Sequence, residues 1–231
     1  MSDTNVEPAS FAFTEENLAQ AAKIIAKYPE GRQQSAVMPL LDLAQRQGDG
    51  WLPRVAMDYI ADLLGMPPIR VYEVATFYTM FNLAPVGEHL IQVCGTTPCQ
   101  LNGAEAIIDT ITEHLGIGRG ETTKDGLFTM MEVECLGACV NAPMVQINDD
   151  FYEDLNKDRM IQVLDQLKKG GRDATKIGPQ GKRVGCIGPQ GKTNLHTQPN
   201  LVVSRDFAAV KAEIAAKAKA AEEEAKKEAK K

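Results

Sequence analysis

Four of the five cysteines in this chain form two closely spaced pairs, and these pairs have the most definite chemistry in the sequence. Cys94 and Cys99 have four residues between them, and Cys135 and Cys139 have three. Each pair follows an apolar run typical of a β-strand and contains glycine. Strands that end in glycine-rich loops place thiolates at one edge of a sheet, so the two pairs could meet in a four-thiolate site.

Four thiolates suit three kinds of chemistry. A [2Fe–2S] cluster takes two thiolates on each iron, and the small residues Gly95, Gly137 and Ala138 would let backbone N–H groups approach the sulfurs. A structural zinc ion also binds four cysteines at such spacings. A dithiol redox centre is the third, although neither pair has the Cys-x-x-Cys spacing of that chemistry. The spacing favours the cluster and leaves the other two open.

Composition narrows the class of protein. The 231 residues are enough for one large domain or two small ones, and the net charge of −6 argues against a nucleic-acid partner. The sequence contains no run of 18 apolar residues that would predict direct membrane insertion. The first dozen residues show neither a signal peptide nor a transit pattern, so we expect a cytosolic chain. Paired cysteines in such a chain more often bind metal or do redox work than form structural disulfides.

Helical periodicity dominates the first part of the chain, after a predicted flexible arm at 1–12. The predicted helices begin near Thr14, Ser35 and Pro53, and a fourth covers 69–78. Together they predict a small helical bundle over 13–84, with Leu18 and Leu63 among the residues that face inward. The aromatic run at 72–81 is interpreted as core, although part of it could form an interface.

Strands and helices alternate from residue 85 to 170. The predicted strands cover about 89–93, 127–134 and the two arms of a hairpin around Asn148-Asp149-Asp150. Asn102 is predicted to cap the helix after the first strand, and Asn156 to cap the last helix. The order β-α-β-β-β-α predicts an α+β fold, in which a small mixed sheet carries helices much as in a thioredoxin-type domain.

The chain after residue 170 differs in composition from the two predicted domains. Residues 177–182 are repeated as 187–192, within a stretch at 171–205 that we interpret as an extended arm lying across a partner. Residues 206–231 are rich in Ala, Lys and Glu and predict a solvated helix or a disordered tail. Cys186 lies between the two copies and is interpreted as a bystander thiol. No metal is assigned to the histidines, which are His89, His114 and His196.

Three motifs together resemble one family. They are Val74-Ala75-Thr76-Phe77-Tyr78-Thr79-Met80-Phe81, Cys94-Gly95-Thr96-Thr97-Pro98-Cys99, and Glu134-Cys135-Leu136-Gly137-Ala138-Cys139-Val140-Asn141-Ala142-Pro143. By these motifs the chain, from about Phe13 to Lys169, is similar to the thioredoxin-like [2Fe–2S] subunit of NADH:quinone oxidoreductase, respiratory complex I.

The resemblance implies that Cys94, Cys99, Cys135 and Cys139 ligate one [2Fe–2S] cluster that carries single electrons. It implies a neighbouring flavin subunit that binds FMN and oxidises NADH, other peripheral-arm subunits, and a location on the cytoplasmic side of the bacterial inner membrane. This chain has no glycine-rich dinucleotide fingerprint after a strand, so we expect FMN and NADH to bind the partner. The same module in a NAD-linked formate dehydrogenase or bidirectional hydrogenase is the alternative.

Two further expectations concern the surroundings of the cysteines. Glu132 and Glu134 lie just before Cys135, and carboxylates disfavour added negative charge, so we expect a low reduction potential of the order of −400 mV. Replacing both with Gln should raise it. Pro143 follows Ala142 just before a strand, where thioredoxin-type domains often keep a cis proline, and this analogy raises the expectation of a cis peptide.

Overall fold

The computed structural model describes residues 7–183, 185 and 186, so the second repeat copy and the 206–231 tail lie outside the described residues. The helices are α1 Glu15–Ile25, α2 Val37–Gln47, α3 Arg54–Leu64, α4 Pro68–Phe77, α5 Thr97–Leu101, α6 Ala104–Leu115 and α7 Lys157–Gly170. The strands are β1 His89–Cys94, β2 Phe128–Val133, β3 Val145–Ile147, β4 Asp150–Glu153 and β5 Gly178–Pro179. The predicted α+β class is confirmed.

Local signals in the sequence set the ends of the first four helices. The Thr14 hydroxyl accepts a hydrogen bond from the Asn17 N–H at 3.2 Å and caps α1. Gly65 ends α3 with a left-handed φ of 59°, and Pro68 occupies the first turn of α4, where its missing N–H costs least. The four helices share one apolar core, whose largest fully buried residues here are Leu40, Leu41, Leu52 and Ile60.

Three predictions for this bundle are wrong in detail. Leu18 and Leu63 are half-exposed: on α1 the buried residue is Ala21, and on α3 the buried residues are Ala56, Ile60, Ala61 and Leu64. The aromatic run at 72–81 is not one core segment. Phe77 has 77% of its surface exposed, since it ends α4 beyond the packed turns of that helix, whereas Phe81 is buried.

The described part of the N-terminal arm contacts the bundle. The rings of Phe11, Phe13 and Tyr59 pack edge to face, with centroids 5.5 to 5.6 Å apart. The Glu7 carboxylate accepts a hydrogen bond from the Arg54 N–H at 3.0 Å, at the first residue of α3. Residues 7–12 therefore add apolar area and a charged group to the bundle.

A mixed sheet makes up the second part of the fold, with strand order β2-β1-β3-β4-β5. The pairs β1–β2 and β4–β5 are parallel, and the pairs β1–β3 and β3–β4 are antiparallel. Helices α6 and α7 contact each other and bury their apolar faces in one core with the sheet. The large fully buried members of that core are Ile91, Ile107, Ile111, Phe128, Met130, Tyr152 and Met160.

Strands β2 and β4 have backbone partners on the sides that face away from β1 and β3. The Gln180 N–H donates to the Glu153 carbonyl at 2.9 Å, next to the short parallel pairing of β5 with β4. The Gly120 N–H donates to the Met130 carbonyl at 2.7 Å, on the outer side of β2. The first repeat copy is thus partly in the chain's own sheet, and the interpretation of 171–205 as an extended arm lying across a partner stays a prediction.

Helix α5 is absent from the elements that the sequence predicts, and it changes the role of Asn102. The Asn102 side-chain amide donates to the Pro98 carbonyl at 2.7 Å, so this residue closes α5. Gly103, with a left-handed φ of 98°, precedes α6 in its place. The Asn156 cap of α7 is confirmed, since its side-chain oxygen accepts from the Arg159 N–H at 2.9 Å.

One ion pair joins α2 to the β3–β4 turn. Both terminal nitrogens of Arg46 donate to the Asp149 carboxylate, at 2.8 and 3.0 Å. This hydrogen-bonded guanidinium lowers the pKa of Asp149 below its usual value. The turn itself contains two residues, because Asp150 already pairs with Ile147 as the first residue of β4. Among the described residues, no helix is long and apolar enough to cross a membrane.

Gly87 provides a test of the packing where β1 begins. A Cβ at this position would lie 2.8 Å from the Phe128 carbonyl carbon and 2.9 Å from the Phe128 nitrogen, both backbone atoms that cannot move aside alone. We expect Gly87→Ala to lower the free energy of unfolding by about 1–3 kcal/mol, measured by urea unfolding. Gly118→Ala is the control, because its Cβ would meet nothing closer than 3.4 Å. Equal effects of the two substitutions would contradict this packing.

Candidate metal centre

Parallel pairing of β1 with β2 brings the two cysteine loops together. Cys94 is the last residue of β1 and lies opposite Val133, the last residue of β2. Cys135 follows two residues later. Because the carboxyl ends of neighbouring parallel strands meet at one edge of a sheet, both loops start from the same place. The sequence predicts this arrangement, and the backbone register accounts for it.

The four cysteines differ in exposure. Cys94 and Cys99 are buried, with 2% and 1% of their surface exposed, and Cys135 and Cys139 are exposed. Cys99 lies on α5, which directs it back towards the sheet. The buried pair packs with Ala104 and with Met144, which follows the Ala142–Pro143 peptide. That peptide is cis, as the fold analogy predicts.

The sulfurs are arranged as two pairs that lie close together. The Sγ atoms of Cys135 and Cys139 are 3.5 Å apart, and Cys94 and Cys99 are buried together in one cluster. All four are free thiols. In the described part of the chain, no three His, Cys, Asp or Glu side chains gather around one point as the ligands of a single metal ion would.

Polar groups of the loops point at the sulfurs. The Thr96 hydroxyl lies 3.3 Å from the Cys94 sulfur, and the Gly137 N–H donates to the Cys135 sulfur at 3.4 Å. Gly137 has a φ of 85°, a left-handed conformation that glycine adopts without strain. Such donors stabilise negative charge on sulfur and are the groups that adjust the potential of a bound iron–sulfur cluster.

The same contacts set the pKa values of the thiols. Burial favours the neutral form of Cys94, but hydrogen bonds from Thr96 and the Leu136 backbone outweigh it and lower the pKa. The Gly137 N–H lowers the pKa of Cys135. Burial and the neighbouring Cys94 raise the pKa of Cys99 to about 12. In each pair, therefore, one thiol is favoured as the thiolate.

This donor set fits a [2Fe–2S] cluster. It supplies two pairs of thiols, hydrogen-bond donors to the sulfurs, and an apolar wall behind the buried pair. Two irons with two thiolates each match two pairs better than one closed tetrahedron. Cys94, Cys99, Cys135 and Cys139 are the residues that would hold the cluster.

The two carboxylates predicted to lower the potential have different surroundings. The Glu132 side chain lies against Gly95, where a Cβ would be 3.0 Å from its Cδ, and its carboxylate pairs with Arg119 at 2.8 Å. Glu134 is exposed in the loop before Cys135. The two carboxylates therefore differ in their contacts, and their effect on the potential stays a prediction.

Sequence reasoning missed the Thr96 hydroxyl beside Cys94 and the short helix α5 that carries Cys99. Pro98, after two threonines, is a helix-start signal that could have revealed α5. Thr96 precedes α5 but makes no capping bond, since its hydroxyl is beside Cys94. The described histidines have other surroundings: His89 is buried against Phe128, and His114 contacts Asp165. His196 lies outside the described residues, and Cys186 is exposed.

Fold and site together define a class of protein, a thioredoxin-type domain with two cysteine pairs at one sheet edge. A family model described as thioredoxin-like [2Fe–2S] ferredoxin matches residues 21–168. The chain therefore belongs to the thioredoxin-like [2Fe–2S] ferredoxin family. This membership supports an iron–sulfur cluster as the group that the four cysteines hold.

The similar proteins give a more particular picture. The chain is 55% identical over 204 residues to "NADH dehydrogenase [ubiquinone] flavoprotein 2, mitochondrial" of Dictyostelium discoideum, covering 88% of this chain and 82% of that protein. It is 57% identical over 164 residues to a subunit of NADH-quinone oxidoreductase from Rickettsia bellii, covering 71% of this chain and 98% of that protein. These relatives are the proteins that the three sequence motifs indicate.

Among solved structures, the chain resembles a NAD+-reducing [NiFe]-hydrogenase in the H2-reduced state, with a TM-score of 0.51 and 21% identity. The match covers 57% of this chain and 23% of that one. At this identity the likeness concerns the fold alone.

Single Cys→Ser substitutions test the ligand set. We expect Ser at 94, 99, 135 or 139 to remove most of the bound iron, because one of the two irons would lose one of its two thiolates. Cys186→Ser is the matched control and should keep iron and inorganic sulfide at the wild-type level. The measurement is iron and sulfide per chain after anaerobic purification. Loss of iron in the control, or retention in all four site variants, would contradict the assignment.

Proposed function

We propose that the chain is the iron–sulfur electron-transfer subunit of the NADH-oxidising module of a respiratory NADH:quinone oxidoreductase. In this proposal it exchanges one electron with the FMN of a neighbouring flavin subunit and does not bind FMN or NADH itself. The observation that carries it is the meeting of two thiol pairs at one sheet edge, with one pair buried and the other exposed.

The difference in exposure suggests separate roles for the two pairs. When bound, a [2Fe–2S] cluster takes up and releases single electrons. Cys94 and Cys99 would anchor it against the apolar wall, and their low exposure limits the access of water. Cys135 and Cys139 lie on the outside of the site, where a redox partner could approach closely.

The surroundings of the cysteines support a docked partner. Leu101 has 82% of its surface exposed and follows Cys99 by two residues, and Val140 has 60% exposed directly after Cys139. Large apolar side chains that are exposed in an isolated chain often become buried at the centre of a protein–protein interface. A flavin subunit that covered them would also exclude water from the exposed sulfurs. Within such a complex we place the chain in the peripheral arm, on the cytoplasmic side of the membrane.

Two alternatives remain chemically distinct. The module of a NAD-linked hydrogenase or formate dehydrogenase is the first alternative, but the identities of 55% and 57% belong to NADH dehydrogenase subunits. Subunits that co-purify with the chain separate these assignments. A structural zinc module uses the same four thiols without electron transfer.

Visible absorption and EPR spectra distinguish the cluster from zinc. Zinc is d¹⁰ and gives no visible charge-transfer bands, whereas a [2Fe–2S] protein is reddish-brown. We expect the anaerobically purified chain to absorb in the visible range, and dithionite reduction to bleach it and produce an S = 1/2 EPR signal. A colourless protein with one zinc per chain would overturn the proposal.

Leu101→Lys tests the docking surface. A charge in the centre of an apolar interface must be desolvated, so we expect affinity for the flavin subunit to fall by about tenfold or more. Iron content and spectrum should not change, because Leu101 lies at the surface and outside the apolar cluster around the buried pair. Leu18→Lys is the control, because Leu18 is a half-exposed leucine on α1, away from the cysteines, and its substitution should leave recovery of the flavin subunit unchanged. The measurement is the recovery of the flavin subunit with tagged chain from co-expressing cells, and equal recovery would refute this surface.

A further inference from the structure

A carboxylate lies directly against the backbone next to a cluster-binding cysteine. Glu132 is on β2, opposite Val93 of β1, and its side chain extends over Gly95. A Cβ on Gly95 would be 3.0 Å from Glu132 Cδ and 3.1 Å from Cγ, so any other residue type here would push the carboxylate aside. Glycine at this position therefore admits a negative charge one residue away from Cys94.

Arg119 holds that carboxylate in place. Its Nε lies 2.8 Å from Glu132 Oε2, and its Nη2 lies 3.0 Å from both carboxylate oxygens of Glu105, in the first turn of α6. One guanidinium thus joins two carboxylates, and the group of three has a net charge of −1. An arginine stays charged at all working pH values, so its positive charge beside Glu132 persists when the pH changes.

Backbone hydrogen bonds fix the loop that carries Arg119. The Gly120 N–H donates to the Met130 carbonyl at 2.7 Å, and the Met130 N–H donates to the Glu121 carbonyl at 3.2 Å. Ile117, two residues before Arg119, is buried in the core. The backbone on either side of Arg119 is therefore tied to the strand that carries Glu132. The position of the guanidinium does not depend on side-chain contacts alone.

We propose that Arg119 sets the reduction potential of the site by offsetting the charge of Glu132 beside Cys94. This inference rests on the proposed function, since it requires a redox-active cluster. In the one-electron reduction, dithionite supplies the electron in a titration and the site gains one negative charge. Glu132 opposes that gain, and Arg119 reduces the opposition. The charge of Arg119 adds to that of Glu132 at the site, so the two residues have opposite effects on the potential.

The exposure of the pair limits the size of the effect. The side chains of Arg119 and Glu132 are 47% and 43% exposed, so water and salt screen their charges. We expect removal of the guanidinium charge to lower the equilibrium constant for reduction by about three- to tenfold, where tenfold is 59 mV for one electron. The effect should shrink as the salt concentration rises.

Four variants of the cluster-loaded chain test the proposal in EPR-monitored redox titrations. Arg119→Gln should lower the midpoint potential, Glu132→Gln should raise it, and the double variant should lie between the two single variants. Arg119→Lys keeps the positive charge and should stay near wild type. Arg70→Gln is the control, since Arg70 forms a similar exposed pair with Glu73 on α4.

The outcomes separate this inference from the proposed function. An intact EPR signal with an unchanged or raised potential in Arg119→Gln would overturn the role of Arg119 and leave the electron-transfer proposal standing. A shift equal to that of Arg70→Gln would do the same, because it would reflect net charge alone. Absence of a reducible signal in the wild type would instead remove the proposed function.

Discussion

The register of two parallel strands is the constraint on which the site depends. Cys94 and Val133 end β1 and β2 side by side, so the loops that follow begin close together. Side chains alternate between the two faces of a sheet, so a shift of one residue would turn Cys94 to the opposite face. The apolar residues of β1, Ile91 and Val93, prevent such a shift because they are fully buried in the core.

In the loops that follow these two strand ends, hydrogen bonds to the sulfurs adjust the pKa values of the thiols. Thr96 and the N–H of Gly137 each serve one sulfur, although the first is a side chain and the second a backbone group. The arrangement gives one thiol of each pair a lowered pKa, which assists metal binding because ligands must lose their protons. In our proposal the carboxylates adjust the reduction potential as well, and the Arg119–Glu132 pair shows that charge cannot be counted from sequence neighbours alone.

Much of the fold could be predicted from local signals. The helix ends at Thr14, Gly65 and Asn156 follow capping rules that act within one turn of the chain, and the strands before the cysteine pairs follow from their apolar runs. The four cysteines could be predicted as ligands because their motifs resemble one family, whereas their spacing alone left zinc and thiol chemistry open. The family membership agrees with the resemblance of those motifs.

What could not be predicted depends on contacts between distant residues. Arg119 pairs with Glu132 from a separate loop, whose sequence gives no sign of its attachment to β2. The exposure of Phe77 depends on where the other helices end, not on its own hydrophobicity. Helix α5 is shorter than the window over which periodicity can be recognised, although Pro98 marks its start.

The pairing on the outward sides of β2 and β4 has a consequence for the behaviour of the protein in a crowded cell. An open strand edge offers unpaired N–H and C=O groups to any other extended chain and is a common starting point for aggregation. Here the Gly120 segment occupies one side, and a two-residue strand containing Pro179 occupies the other. Proline has no N–H to offer a further strand, so the sheet is poorly suited to growth by addition of foreign chains.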